Sequence, residues 1–404
     1  MKSVAVIGSG VSGEAVAKLC GIHGIDCAVV SDGAGAVLPD AELYVVSPGV
    51  PPAKSPLYQA AERSGKEVVS ELEFGCRFWN KPILAVTGTN GKTTTTELTV
   101  HLLQQCGVNA APAGNIGRPL SDLAADPQDT EVAVVEVSSF QLEKVSAFAP
   151  LAAVILNFAS DHLDRYPGGF AEYCAVKKRI FDHVAFENRI YGLSFADVAS
   201  RRVTVTNGML ILDGEPFFDL KESDLPGAHN AENCAAAVEL CLRFLPETVV
   251  RSAQFIAALQ SFRRGRHRIE TVKVHNDITY IDDSKGTNPA AVLAAIDSCA
   301  GQIVILLGGL GKGMDFSPLI TRAHRFRAAV VYGADRERIA AVLQGHCEVV
   351  RCGTDFREVV AKSCALAQRG DTVLLSPACA SMDMFTNYAE RGDLFRSLVA
   401  EIIR

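Results

Sequence analysis

The sequence predicts an α/β protein of more than one domain with parallel sheets, and three observations carry that expectation. Short apolar runs suited to strands alternate along the chain with helical stretches, the pattern that parallel sheets require. The alternation restarts twice, at Pro82 and after the basic stretch Arg263–Arg268. At 404 residues the chain exceeds what one core ordinarily holds, so two or three domains are expected.

In the first block, strands are predicted at Val4–Gly8, Cys27–Val30, Leu43–Ser47 and Glu67–Ser70, with a helix from Ser12 to about His23. Pro48-Gly49-Val50-Pro51-Pro52 ends the third strand, because proline has no N–H to give a ladder. The second block opens on Ile83–Gly88, continues as a helix from Lys92, and holds further buried strands at Val132–Val137 and Leu151–Leu156. From Arg201 to Phe218 the pattern changes to short antiparallel strands, turned at Asn207-Gly208 and Asp213-Gly214. An Ala-rich helix from Ala228 to Leu245 stops at Pro246. In the third block, strands are predicted at Thr279–Ile281, Gln302–Leu307, Ala328–Tyr332 and Thr372–Ser376, before an amphipathic helix from about Asn387 to the chain end.

Composition excludes several classes. Hydrophobic residues make up 48% and charged residues 21%, the balance of a soluble globular protein. Apolar runs such as Ile303–Leu307 are far too short to span a bilayer. The net charge of −7 argues against a nucleic-acid partner, which would call for a basic face. The 12 cysteines form no C-x-x-C pair and read as free thiols of a reducing compartment. Met1-Lys2-Ser3 leads directly into a strand without a signal-peptide core, so a cytoplasmic location is expected; a monomer with no membrane association is the accompanying expectation.

Gly88-Thr89-Asn90-Gly91-Lys92-Thr93-Thr94 carries the most chemistry per residue. It lies between a buried strand and a helix. Glycines there let backbone N–H groups approach phosphate oxygens, and the helix N-terminus adds partial positive charge. Lys92 is placed to reach the β and γ phosphates, and the Thr93 hydroxyl to ligate Mg²⁺. The general G-x-x-x-x-G-K-[ST] pattern would want glycine where Val86 stands, so this loop is shorter. Glu136 follows the apolar run Ala133–Val135, where a carboxylate is a natural hard-oxygen ligand for Mg²⁺.

A second glycine motif, Gly8-Ser9-Gly10-Val11-Ser12-Gly13, follows a predicted strand and opens a helix, with Asp32 24 residues after Gly8. This fits a dinucleotide fingerprint, so an NAD-dependent dehydrogenase is the rival expectation. The triphosphate loop that follows at Gly88 counts against it.

Thr87–Thr93 resembles the ATP loop of the Mur ligases and of the related folylpolyglutamate synthase. The resemblance continues in order through Gly114-Asn115-Ile116-Gly117, Glu136–Leu142, Asp161–Arg165, Gly227–Asn233, Arg266–Arg268, Asp282–Asn288 and Ser376–Phe385. It spans nearly the whole chain. Glu136–Leu142 and Ser376–Phe385 are similar to the D-glutamate-adding branch, and the D-N-P-R-like signature of branches using diamino acids is absent from the sequence.

The resemblance implies three domains: a Rossmann-like uridine-substrate domain at 1–80, a central P-loop ATPase domain at 81–265, and a Rossmann-like amino-acid domain at 266–404. It also implies a reaction. The carboxylate of UDP-N-acetylmuramoyl-L-alanine attacks the ATP γ-phosphate, and D-glutamate's amine displaces phosphate from the acyl phosphate. Both reactants of the first transfer are anions, so charge neutralisation is the first need.

The residue roles implied follow the motifs. Gly88, Thr89, Asn90, Gly91, Lys92, Thr93 and Thr94 would hold the ATP phosphates. Asn230, Asn233, His267, Arg268 and Asp283 would hold the rest of the nucleotide. Thr93, Glu136, His162 and Lys177 would serve two Mg²⁺ sites, and Lys92, His162 and Lys177 would be catalytic. Lys177, or Lys178 with a one-residue slip, aligns with a lysine that is carbamylated, which turns an ammonium into an anion. Gly10, Val11, Ser12, Asp32, Ser47, Gly49, Asn115 and Ser138 would hold the uridine substrate. Thr287, Lys312, Ser381 and Tyr388 would hold D-glutamate. Tyr388 stands where the family has phenylalanine, and Leu310 where it often has aspartate.

Overall fold

The four apolar runs at the start of the chain pair as one parallel sheet. β1 (Ser3–Ile7), β2 (Asp26–Val30), β3 (Leu43–Val46) and β4 (Glu67–Ser70) stand in the order β2-β1-β3-β4. The helix Val11–Ile22 returns the chain from β1 to β2. The computed structural model describes residues 1–196, 201–225 and 227–403.

A second parallel sheet holds β5 (Ile83–Thr87), β6 (Ala110–Gly114), β7 (Val132–Glu136), β8 (Ala152–Ile155) and β9 (Arg189–Tyr191), in the order β6-β7-β5-β8-β9. Alternate residues of its strands enter opposite cores. Leu84, Val86, Val132, Val134 and Val154 pack on one face with the helices Lys92–Gln105 and Ala228–Leu242. Ile83, Ala85, Ala133, Val135 and Ile155 pack on the other. A strand buried on both faces reads as an unbroken apolar run, which is why these strands are conspicuous in the sequence.

Beside this sheet lies an antiparallel meander of β10 (Val203–Thr206), β11 (Met209–Leu212) and β12 (Glu215–Asp219). Asn207 and Gly208 have φ of 52° and 80°, and Asp213 and Gly214 have 53° and 87°. Positive φ at both central residues is what a two-residue hairpin requires, and Asn-Gly and Asp-Gly reach it at least cost.

The third sheet joins β13 (Glu270–His275), β14 (Ile278–Asp282), β15 (Ile303–Gly308), β16 (Phe326–Tyr332), β17 (Glu348–Arg351) and β18 (Thr372–Leu375) in the order β13-β14-β18-β15-β16-β17. Only β13 pairs antiparallel. Ile303, Ile305 and Leu307 face one core, and Val304 and Leu306 the other. The last helix runs Tyr388–Ile402, and Arg404, at the end of the helix expected from the sequence, lies outside the described residues.

The chain divides into two compact units. The first is Met1–Phe158 with Gly168–Phe262 and holds the first two sheets and the meander. The second is Ala159–Pro167 with Arg263–Arg404 and holds the third sheet. No described helix is long and apolar enough to cross a membrane.

Candidate functional site

In the first unit, β5 delivers the chain to the phosphate loop, and the helix Lys92–Gln105 starts from Gly91. Gly91 has no side chain to cap that N-terminus, and the partial positive charge of a helix start suits an anion. Gly91 has φ +86°, and a Cβ there would stand 2.0 Å from Asn233 Oδ1. Gly88 has φ +146°, and its Cβ would stand 2.9 Å from Leu156 Cβ. Both glycines are therefore required by conformation and by space.

The loop is clamped on both sides. Thr89 N–H donates to Asn157 O at 3.1 Å. Asn90 N–H donates to Asn157 Oδ1 at 2.9 Å, and Asn157 Nδ2 donates to Asn90 O at 3.2 Å. The hydroxyls of Thr89 and Tyr173 are 3.0 Å apart. The Lys92 ammonium donates to Gly88 O and Thr89 O at 3.1 and 2.9 Å, so it lies over the loop. Thr93 and Thr94 are buried at the helix start.

Lys177 is 2% exposed and donates to Gly88 O at 2.8 Å from the helix Gly169–Lys178. Lys178 is exposed. The structure thus aims Lys177, not its neighbour, at the phosphate loop. Asn157 and Tyr173 were not found from the sequence. Asn157 contacts a residue 67 positions away and Tyr173 one 84 away, and no local pattern encodes such contacts.

Glu136 ends β7, in register with Val86 of β5, so it emerges beside the strand that launches the loop. It is 1% exposed. Asn115 Nδ2 donates to its Oε1 at 2.7 Å, and its Oε2 has no hydrogen-bond partner among the described residues. A buried carboxylate oxygen left open is costly unless something fills it, and a hard cation is the fitting chemistry. Asn230 and Asn233 are buried at the start of the helix Ala228–Leu242, 3.4 Å apart at Nδ2 and Oδ1, and Thr95 Oγ1 donates to Asn233 Oδ1 at 3.4 Å.

The N-terminal glycine motif forms one wall of a cavity of about 440 Å³ in the same unit. Gly8, Gly10, Val11, Ser12, Ser47 and Gly49 line that wall, and Gly114, Asn115, Gly117, Pro119 and Gln141 line the opposite one. A Cβ on Gly13 would lie 2.0 Å from Gly8 O, so the helix can approach β1 only with glycine there. Asp32 and Ser138 are not among the lining residues. Asp32 Oδ1 accepts from Leu57 N–H at 3.1 Å, and Ser138 caps the helix Ser139–Leu142 in a reciprocal box with Gln141.

In the second unit, Thr287, Ser381 and Lys312 follow the C-terminal ends of the neighbouring strands β14, β18 and β15, the edge where parallel sheets hold ligands. Leu310 and Ala380 exchange backbone hydrogen bonds of 2.8 and 3.0 Å, which brings the Lys312 and Ser381 loops together. The Leu310 side chain is 42% exposed and makes its bridge through the backbone, where an aspartate would serve equally. Lys312 Nζ is 3.5 Å from His162 Nδ1, and Asp161 Oδ1 accepts from the His162 N–H.

Arg391, fully buried, donates to Ser284 Oγ at 2.9 Å, Ser284 O at 2.8 Å and Cys379 O at 3.2 Å. Ser284 Oγ donates in turn to Tyr388 O. The Tyr388 ring lies 6.3 Å from His267, and the Lys285 ammonium 5.0 Å over it. His267 Nδ1 is 2.6 Å from the buried carboxylate of Asp282. Ser376 Oγ donates to Asp283 at 2.6 Å, and burial raises the Asp283 carboxyl to about 7, with nearby Arg268 pulling it down. Of the expected nucleotide residues, the phosphate loop, Asn230 and Asn233 belong to the first unit, and His267, Arg268 and Asp283 to the second.

Residues 86–204 match the Mur ligase middle domain, and residues 267–379 the Mur ligase glutamate ligase domain. The UDP-N-acetylmuramoylalanine–D-glutamate ligase of Chromobacterium violaceum is 38% identical, over 99% of this chain and 98% of that one. That of Pelotomaculum thermopropionicum is 36% identical over the same shares. Among solved structures, the UDP-N-acetylmuramate-alanine ligase MurC of Thermotoga maritima aligns over 99% of this chain and 100% of its own, with a TM-score of 0.62 at 16% identity. A MurF ligase from the same organism, in complex with ADP, aligns over 91% of this chain and 95% of its own with a TM-score of 0.55 at 16% identity. At those identities the structures speak for the fold. The chain belongs to the Mur ligase family and, within it, to the group of UDP-N-acetylmuramoylalanine–D-glutamate ligases.

Proposed function

We propose that the chain is a cytoplasmic ATP-dependent ligase that joins D-glutamate to UDP-N-acetylmuramoyl-L-alanine through an acyl phosphate. One observation carries the reading: a glycine-built phosphate loop stands beside a buried carboxylate, Glu136, with one oxygen open. In this reading the division is threefold, with 1–80 holding the uridine substrate, 81–265 the ATP and 266–404 the amino acid.

The amides at the start of the helix Lys92–Gln105 and the Lys92 ammonium hold the ATP phosphates. To do so Lys92 exchanges its two loop carbonyls for phosphate oxygens, a trade of neutral acceptors for charged ones. The cavity lined by Gly10, Ser12, Ser47 and Asn115 holds the uridine diphosphate end and orients the alanyl carboxylate. Thr287, Lys312, Ser381 and Tyr388 hold D-glutamate so that its free amine meets the acyl phosphate.

Mg²⁺, when bound, neutralises phosphate charge during the transfer. Thr93 and Glu136 would be the donors for one ion, and the open Glu136 oxygen fits that role. His162 is the donor proposed for a second. Carbamylation of Lys177 would join its neutral amine to CO₂ with loss of one proton. The carbamate keeps an N–H for Gly88 O and adds an anion beside the loop.

Phosphate release from ATP by the purified chain is the test. Release is expected only with Mg²⁺, UDP-N-acetylmuramoyl-L-alanine and D-glutamate together. Micromolar binding of NADH without binding of uridine compounds would replace this reading with the dehydrogenase one, and release with another amino acid in place of D-glutamate would change the acceptor.

A further inference from the structure

The cavity's two walls come from different sheets, and one short helix, Glu71–Cys76, holds both parts of the far wall to the near one. The helix begins directly after β4, with Ser70 Oγ accepting from Glu73 N–H. Glu71 is fully buried. Its Oε1 accepts from Ser121 N–H at 2.7 Å, and Ser121 Oγ donates back to Glu71 O at 3.3 Å. Ser121 is the second residue of the helix Leu120–Ala125, whose N-cap, Pro119, lines the cavity. A Cβ on Gly75 would stand 2.6 Å from Ser121 N, so the two helices touch at backbone distance.

The other part of the far wall is held two residues further on. Glu73 is fully buried, and its carboxylate accepts from Ser146 N–H and Ala147 N–H at 3.0–3.1 Å. Ser70 N–H donates to Lys144 O at 2.8 Å. The segment so held follows the helix Ser139–Leu142, which puts Gln141 into the cavity. Ser121 is buried, so its N–H left without an acceptor is costly and removing the Glu71 carboxylate favours separation of the walls. Ser146 and Ala147 are exposed, so removing the Glu73 carboxylate costs less and acts by releasing the segment that the two N–H bonds tie down.

We propose that Glu71 and Glu73 are positioning residues that set the width of this cavity, and through it the affinity for the uridine nucleotide. The proposal rests on the reading of the cavity as the uridine-substrate site. Neither side chain lines the cavity, so neither touches the substrate.

The test measures KM for all three substrates in the full chain. Glu71→Ala is expected to raise KM for UDP-N-acetylmuramoyl-L-alanine about tenfold, the effect of one lost buried hydrogen bond, with KM for ATP and D-glutamate within about twofold. Glu71→Gln, which keeps an acceptor for Ser121 N–H, is expected to restore most of it. If Glu71→Ala does not fold, Glu73→Gln, of the same shape with one acceptor lost, carries the test with the same selectivity. A lowered melting temperature with all three KM values unchanged, or an equal rise in all three, overturns the proposal. Val11→Trp, at a lining residue 70% exposed, separates the two failures. If it leaves the uridine-substrate KM unchanged, the cavity reading falls and the proposal with it. If it raises that KM while the carboxylate variants do not, the proposal alone falls.

Discussion

Replacing Gly91 by alanine perturbs the phosphate loop at the point where space and conformation are both exhausted. At φ +86° a side chain incurs the left-handed penalty, about 1–2 kcal/mol. The added Cβ would also lie 2.0 Å from Asn233 Oδ1 and 3.2 Å from Leu156 Cδ1. Asn233 must move, and its long hydrogen bonds to Thr95 and Asn230 go with it, at roughly 0.5–1 kcal/mol each. The sum is about 2–4 kcal/mol, or roughly 5–15 °C in the melting temperature of the first unit. Thermal unfolding of Gly91→Ala, Asn233→Ala and the double variant checks the account. Asn233→Ala removes the obstacle, so the double variant should be more stable than the sum of the singles implies, by about 1–2 kcal/mol. Additivity within about 0.5 kcal/mol would refute the packing of Asn233 on Gly91. A KM for ATP that stays level in Gly91→Ala would refute the loop's role.

Three further outcomes are expected. Burial raises Asp283 to about 7 from an ordinary value near 3.8, so its protonated form favours folding. That contribution is complete below about pH 4 and is lost as pH rises through about 7; stability curves of Asp283→Asn and the parent should diverge by up to about 4 kcal/mol over that window, and parallel curves would refute the burial argument. Lys177→Ala should lose activity at least a hundredfold, about 3 kcal/mol of transition-state stabilisation, and added bicarbonate should not restore it; full activity would remove Lys177 from the mechanism. Lys312→Ala should raise KM for D-glutamate about tenfold or more, the effect of one lost charge-assisted hydrogen bond, and KM for ATP much less; the opposite order would remove Lys312 from the acceptor site.

The parts of the fold legible in the sequence were those with local signals. The central strands β5, β7, β8, β15, β16 and β18 are buried on both faces and appear as apolar runs. The meander announced itself through Asn207-Gly208 and Asp213-Gly214. Four strands were not predicted, and all lie at sheet edges. β6 is Ala-Ala-Pro-Ala-Gly, with neither β-branched residues nor a donor at Pro112. β9 is three residues long, and β13 and β17 are half exposed and carry charges at intervals.

The candidate site divides in the same way. The phosphate loop, the glycine motif and Glu136 stand in short contiguous patterns. The groups that brace them do not: Glu71 meets Ser121 from 50 positions away, and Glu73 meets Ala147 from 74. The membership of His162 and its segment Ala159–Pro167 in the second unit likewise depends on tertiary packing, since the chain on both sides of that segment belongs to the first.

The guanidinium of Arg391 has a consequence for the order of assembly. It fills the space between Ser284 and the Cys379 carbonyl from the chain's final helix. β18, which must slot between β14 and β15, is also made late. On the ribosome the sheet of the second unit therefore stays split, with the β14 and β15 edges bare, until β18 has emerged. Loss of the helix Tyr388–Ile402 would leave β18 in place but the space between Ser284 and the Cys379 carbonyl unfilled.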